Sequence, residues 1–127
     1  MGMEQRVSFA GRPPPPWEAV RDVLTGAGFP AQLHMIDGEL SLPDEAPPAA
    51  WRELRVGTPQ GMVTLRREAG AVMCVTWGNA DAPLRQAWNA VAWALARAGG
   101  GSIETQGGPR DADAFRREAD LPEALRF

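Results

Sequence analysis

Lysine and tyrosine are absent from this chain of 127 residues, and cysteine and histidine occur once each, as Cys74 and His34. Without lysine there is no Schiff-base amine and no phosphate-loop lysine; all 13 basic residues are arginine. A single cysteine forms no internal disulfide, so nothing in the chain calls for an oxidising compartment. A single histidine rules out a protein-supplied multi-histidine metal site and leaves only His34 around which a Ser-His-Asp triad could be built. There is no apolar run of membrane-spanning length and no charged-then-apolar leader, so the expected location is cytoplasmic, with no membrane partner. An excess of positive charge is missing too. The 13 arginines stand against 16 acidic residues, for a formal charge of −3, and nucleic acid is not an expected partner. GxGxxG, GxSxG, HExxH and CxxC do not occur, and Gly99 to Gly101 follow a helical pattern where a phosphate loop would precede one. No cofactor is expected.

What the chain does contain is 44% apolar residues, enough for one domain with its own core. Its bias to Ala, Gly, Pro and Arg points to a GC-rich, bacterial genome. The clearest periodic signal runs from Asp81 to Gly101. Leu84, Trp88, Val91, Leu95 and Ala98 fall on one helical stripe, Asp81 stands ready to cap it, Pro83 suits the first turn, and the glycines supply a left-handed stop. Trp93 breaks the pattern by falling opposite that stripe, among Gln86, Asn89 and Arg97. Either another segment covers it, the C-terminal tail being the preferred one, or Arg97 stacks on it from one turn away, or it belongs to a partner surface.

Before that helix, Arg6 to Ala10 alternates as a first strand. Pro13 to Pro16 then make a stiff connector, which with Arg12 could also mimic an SH3-type ligand, into a helix with Trp17, Val20, Leu24 and Ala27 on one stripe. Gln32 to Ile36 and Glu39 to Leu42 alternate around Asp37-Gly38, a favoured hairpin turn; Leu33 and Met35 should share a face that Leu40 and Leu42 join. The PDEAPP stretch from 43 to 48 reads as an exposed loop. Three further strands, over 51–56, 62–67 and 71–77, suggest an antiparallel meander, and Ser102 to Thr105 returns as a final strand. Past Gly107-Gly108-Pro109, Asp111 to Ala119 forms a short helix, and Glu123 to Phe127 adds a turn.

The expected architecture is therefore α+β: a two-layer sandwich with a largely antiparallel sheet of about 5–7 strands and two helices on one face. Residues 1–108 make the domain, and 109–127 make a tail that docks on it or is partly disordered. Arg55, Thr64 and Arg66 should share the face away from Leu54, Val56, Val63 and Leu65, giving an arginine cluster suited to a carboxylate- or phosphate-bearing partner. His34 reads as half-exposed and Cys74 as core filling, with a Cys74/His34 nucleophile pair as the sharper alternative. Asp111 with Asp113, and Asp44 with Glu45, read as caps and loop acids or as part of a magnesium site. Two functions are consistent with this pattern. The first is a non-catalytic interaction domain, engaging itself as a homodimer or another protein, with Trp93, Arg97, Trp51, Arg55, Arg66 and His34 as candidate binding residues and no catalytic or metal-ligating residue. The second is a small-ligand or enzymatic domain with a pocket between sheet and helices, lined by Trp17, Trp77 or Trp88 and by His34 or Arg55.

Overall fold

The computed structural model describes residues 2–126. Eight strands, β1 (Gly2–Ser8), β2 (Gln32–Ile36), β3 (Glu39–Leu40), β4 (Glu53–Thr58), β5 (Gly61–Glu68), β6 (Ala71–Trp77), β7 (Ser102–Thr105) and β8 (Gly108–Asp111), form one sheet. Their order is β3-β2-β4-β5-β6-β1-β7-β8, and every neighbouring pair is antiparallel. Alternation along the strands turns Leu33, Leu54, Val56, Val63, Leu65, Val72, Cys74, Val7 and Ile103 to one face, where each is almost fully buried. Three helices, α1 (Trp17–Gly26), α2 (Ala82–Gly99) and α3 (Ala112–Glu118), and a 3₁₀ turn at Glu123–Leu125 complete the fold.

Helix α2 is the centre of the helical layer. Asp81 accepts a hydrogen bond from Leu84 N at 3.0 Å, and Gly100, at φ 64°, ends the helix in the left-handed region. It packs on β5, β6, β1 and β7 and is flanked by α1 and α3. Ala87, Ala90, Ala92, Ala94 and Ala96 are all buried, and side chains this small let three neighbours approach one helix closely. The Trp88 indole N–H donates to the Cys74 carbonyl at 2.8 Å, tying α2 to the middle of the sheet. Among the described residues, no helix is long and apolar enough to cross a membrane.

The C-terminal segment lies on the Gln86/Asn89/Trp93 face of α2. Asn89 Nδ2 donates to the Asp120 carbonyl at 2.9 Å and Gln86 Nε2 to the Asp120 carboxylate at 3.2 Å. Phe115, Leu121 and Leu125 join the same core cluster as Trp93, which is 5% exposed. Phe127 lies outside the described residues.

The sheet has eight strands, not the five to seven that alternation indicates, and the third helix is the short one expected over 111–119 in the tail. The extra strand is β8, which begins at Gly108; the domain boundary expected at that residue falls inside the β7–β8 hairpin. Gly107-Gly108-Pro109 reads as a linker because no side-chain alternation marks it. Pro109 is tolerated because β8 is an edge strand with no further ladder to donate to. A second correction concerns β2. The register shifts between Leu33, paired with Val56, and Met35, paired with Arg55, so His34 is an extra residue in a bulge. Met35 therefore shares the face of Arg55, and Ile36 rejoins Leu33 against the core. Leu40 and Leu42 do not join the core either; they are 87% and 67% exposed.

Candidate functional site

The helices cover one face of the sheet; the other is open. On it, ladder pairs line up as rows across the four central strands. Arg55, Thr64, Val75 and Glu4 form one row, and Glu53, Arg66, Met73 and Arg6 the next. Gly57 pairs with Met62 and Gly2 with Trp77, so these four residues continue the register at the end of the face. The apolar column of the face is β6, with Met73, Val75 and Trp77; β5 adds Met62 but also Thr64 and Arg66, and β4 and β1 on either side carry charges of both signs.

Trp77 is 72% exposed and Met62 38%. Together with Gly2, Arg55, Thr64, Val75 and Thr76 they line a concavity of about 490 Å³. A second hollow of about 500 Å³ adjoins it at Met62 and is lined by Gln32, His34, Gly57 and Thr58 among others. Arg66 Nη2 bonds Glu4 Oε1 at 3.0 Å, and Arg6 approaches Glu68 at 3.8 Å and donates to the Ala69 carbonyl. Arg55 makes no ion pair among the described residues. The arginines expected to cluster are therefore interleaved with carboxylates on neighbouring strands, which offsets the field that an anionic partner would need.

Of the six binding residues suggested by the sequence, Arg55, Arg66 and His34 come together on this open face. Trp93 and Trp51 belong to the other layer and are 5% and 3% exposed. Trp93 is covered from within the chain, so it offers no open partner surface. Trp51 lies beneath its own cation: the Arg67 guanidinium sits 4.4 Å from the ring centroid and its Nη1 donates to the Ala49 carbonyl. Arg97 is exposed near the end of α2, beside Asp111 and Asp113. The ring stack that sequence spacing offered to Arg97 and Trp93 is found at Arg67 and Trp51.

Cys74 and His34 stand on opposite faces of the sheet with β4 and β5 between their strands, which removes the Cys/His pair. Burial alone pushes the Cys74 thiol far above its ordinary value, so no thiolate is available there. Both acidic pairs have structural uses: Asp111 caps α3 by accepting from Ala114 N at 2.8 Å, and Glu45 accepts from Leu42 N. Trp17 is buried and borders a hollow of about 230 Å³ with the proline segment and Trp51, and Trp88, whose indole is bonded to the Cys74 carbonyl, borders another with Gln5 and Glu104, so neither shares a hollow with His34 or Arg55.

Met62 and Glu4 are members of this face that sequence spacing did not single out, and Trp77, expected to line a pocket between sheet and helices, stands on the open face instead. The signal for Trp77 lies in VMCVTW, which is apolar on both faces of a strand although only one face needs to meet helices. Comparison with known proteins adds nothing to this geometry: no family model, no curated protein and no solved structure matches the chain.

Proposed function

We propose that this protein is a non-catalytic protein-binding domain whose working surface is the open face of its sheet. The observation that carries the reading is Trp77, 72% exposed, beside Met62 and Val75 in a hollow flanked by Arg55 and Thr64. Tryptophan and arginine dominate the energetics of protein interfaces, and an uncovered indole backed by other apolar groups costs solubility unless something binds it. The face combines an apolar column along β6 with charged and polar columns on either side, as interfaces do. Its polar side chains are largely paired with one another and do not converge on one point, as the groups of a reaction site would.

The test compares wild type with Trp77→Ser, whose fold is checked by thermal melting. Solution mass and proteins captured from a cell lysate are measured for both. Self-association or capture that depends on Trp77 supports the reading. Identical mass and identical capture for the two proteins would end it. A small molecule that co-purifies with wild type and is lost from the variant would replace it with ligand binding.

A further inference from the structure

The geometry points to a second copy of this chain as the occupant of the open face, an inference that rests on that face being the working surface. The two copies pack sheet against sheet, related by a two-fold axis that lies between the sheets and runs close to the strand direction, midway between β5 and β6. That position is the centre of the eight-strand order, with four strands on each side.

Such an axis keeps each row over itself and exchanges strands across the centre. The partner's β5 then lies over β6 and the partner's β4 over β1. In the first row Arg55 of each copy comes over Glu4 of the other, and Thr64 over Val75. In the second row Glu53 comes over Arg6 and Arg66 over Met73. At the end of the face Met62 comes over Trp77, and Gly57 over Gly2. Every strongly exposed apolar group of the central strands meets an apolar group. The charged columns on β4 and β1 also meet with opposite sign at both levels. Arg55, which has no ion pair among the described residues of its own chain, acquires a carboxylate.

With strands about 4.8 Å apart and rising about 3.3 Å per residue, the whole sheet presents roughly 700 Å² and its four central strands roughly 450 Å², so the interface is smaller than the roughly 800 Å² per partner of a standard one. Aligned sheets pack about 10 Å apart at a rotation of around 30°, which leaves the four central strands in contact. An interface of this kind is isologous, so each cross-contact occurs twice.

The double occurrence gives a specific test. Light scattering across a dilution series measures the mass of wild type, Trp77→Glu, Arg55→Glu, Glu4→Arg and an equimolar mixture of the last two. Wild type should be a dimer and each single variant a monomer. In the mixed pair, the carboxylate introduced by Arg55→Glu on one protomer faces the guanidinium introduced by Glu4→Arg on the other. At the symmetry-related contact the native Glu4 of the first protomer meets the native Arg55 of the second. Both contacts then join opposite charges, and a dimer returns. Should Glu4→Arg unfold for want of its bond to Arg66, Glu53→Arg mixed with Arg6→Glu tests the second row by the same logic. A monomeric wild type, a dimer that survives Trp77→Glu, or a mixture that stays monomeric overturns the inference. A monomer whose capture of another protein still needs Trp77 overturns the dimer and leaves the open face as a binding surface. A monomer without such capture removes both.

Discussion

The imidazole of His34 occupies the place toward which a side chain at residue 57 would project: a Cβ on Gly57 would run into His34 Nε2. The bulge that makes His34 an extra residue in β2 and the glycine opposite it on β4 are therefore one feature. Gly57 has no positive φ, so its backbone accepts any residue once the imidazole is gone. In wild type, Gly57→Ala should destabilise by displacing the ring. In a His34→Ala background the same change should stabilise, by about 0.5–1 kcal/mol, through the reduced entropy of the unfolded chain. Urea melts of the four proteins in this cycle measure both effects, and a change of the same sign in the two backgrounds would contradict the account.

Asp37 sits at φ 49° in the β2–β3 turn and fixes that turn to the start of β4, its carboxylate accepting from Arg52 N at 2.7 Å and Glu53 N at 2.9 Å. The bonds from Glu53 and Arg52 hold its carboxyl below the ordinary value of 3.8. The ionised form is the one that the fold favours. Its contribution is thus complete above the unfolded pKa and disappears as pH falls through the lower folded pKa. Wild type should melt above Asp37→Asn at neutral pH, and the gap should close below about pH 4. A gap that widens in acid would be incompatible with this sign.

Leu121 and Leu125, in the C-terminal segment, are fully buried, whereas Leu40 is 87% exposed on edge strand β3. Leu121→Ala should cost about 2–5 kcal/mol in denaturant unfolding, through lost burial and the cavity left behind. Leu40→Ala should stay within about 0.5 kcal/mol. Similar costs for the two would mean that the tail is not part of the core.

The Cys74 thiol, fully buried with its ionisation suppressed, should resist an aromatic disulfide reagent in native protein and react fully in denaturant. Trp88→Phe removes the indole donor from the Cys74 carbonyl and should cost about 1–2 kcal/mol. It should also speed thiol labelling in native buffer, through more frequent opening between α2 and β6. Labelling at the denatured rate in native wild type would refute the burial on which this rests.

The sequence by itself determined the elements whose causes are local. Asp81, Pro83 and the glycines after residue 98 delimit α2 because caps, turns and left-handed stops depend on a few neighbouring residues. Asp37-Gly38 sets the β2–β3 hairpin for the same reason, and alternation at Leu54, Val56, Val63 and Leu65 assigns the buried face of β4 and β5. Arg55 and Arg66 could be assigned to the opposite face from that alternation alone. Only the tertiary structure decided what depends on pairing or cover. The bulge at His34 is a mismatch between two strands, and its one trace, Gly57, becomes legible only once the two strands are paired. β8 exists because β7 offers it a ladder, in spite of Gly108 and Pro109. Trp93 and Trp77 are the plainest case: helical period placed the first opposite the apolar stripe, and strand alternation gave the second an apolar neighbourhood on both faces. Trp93 is buried in the core that the tail residues Phe115, Leu121 and Leu125 join, while Trp77 stays open on the far side of the sheet, because cover is supplied by segments distant in sequence.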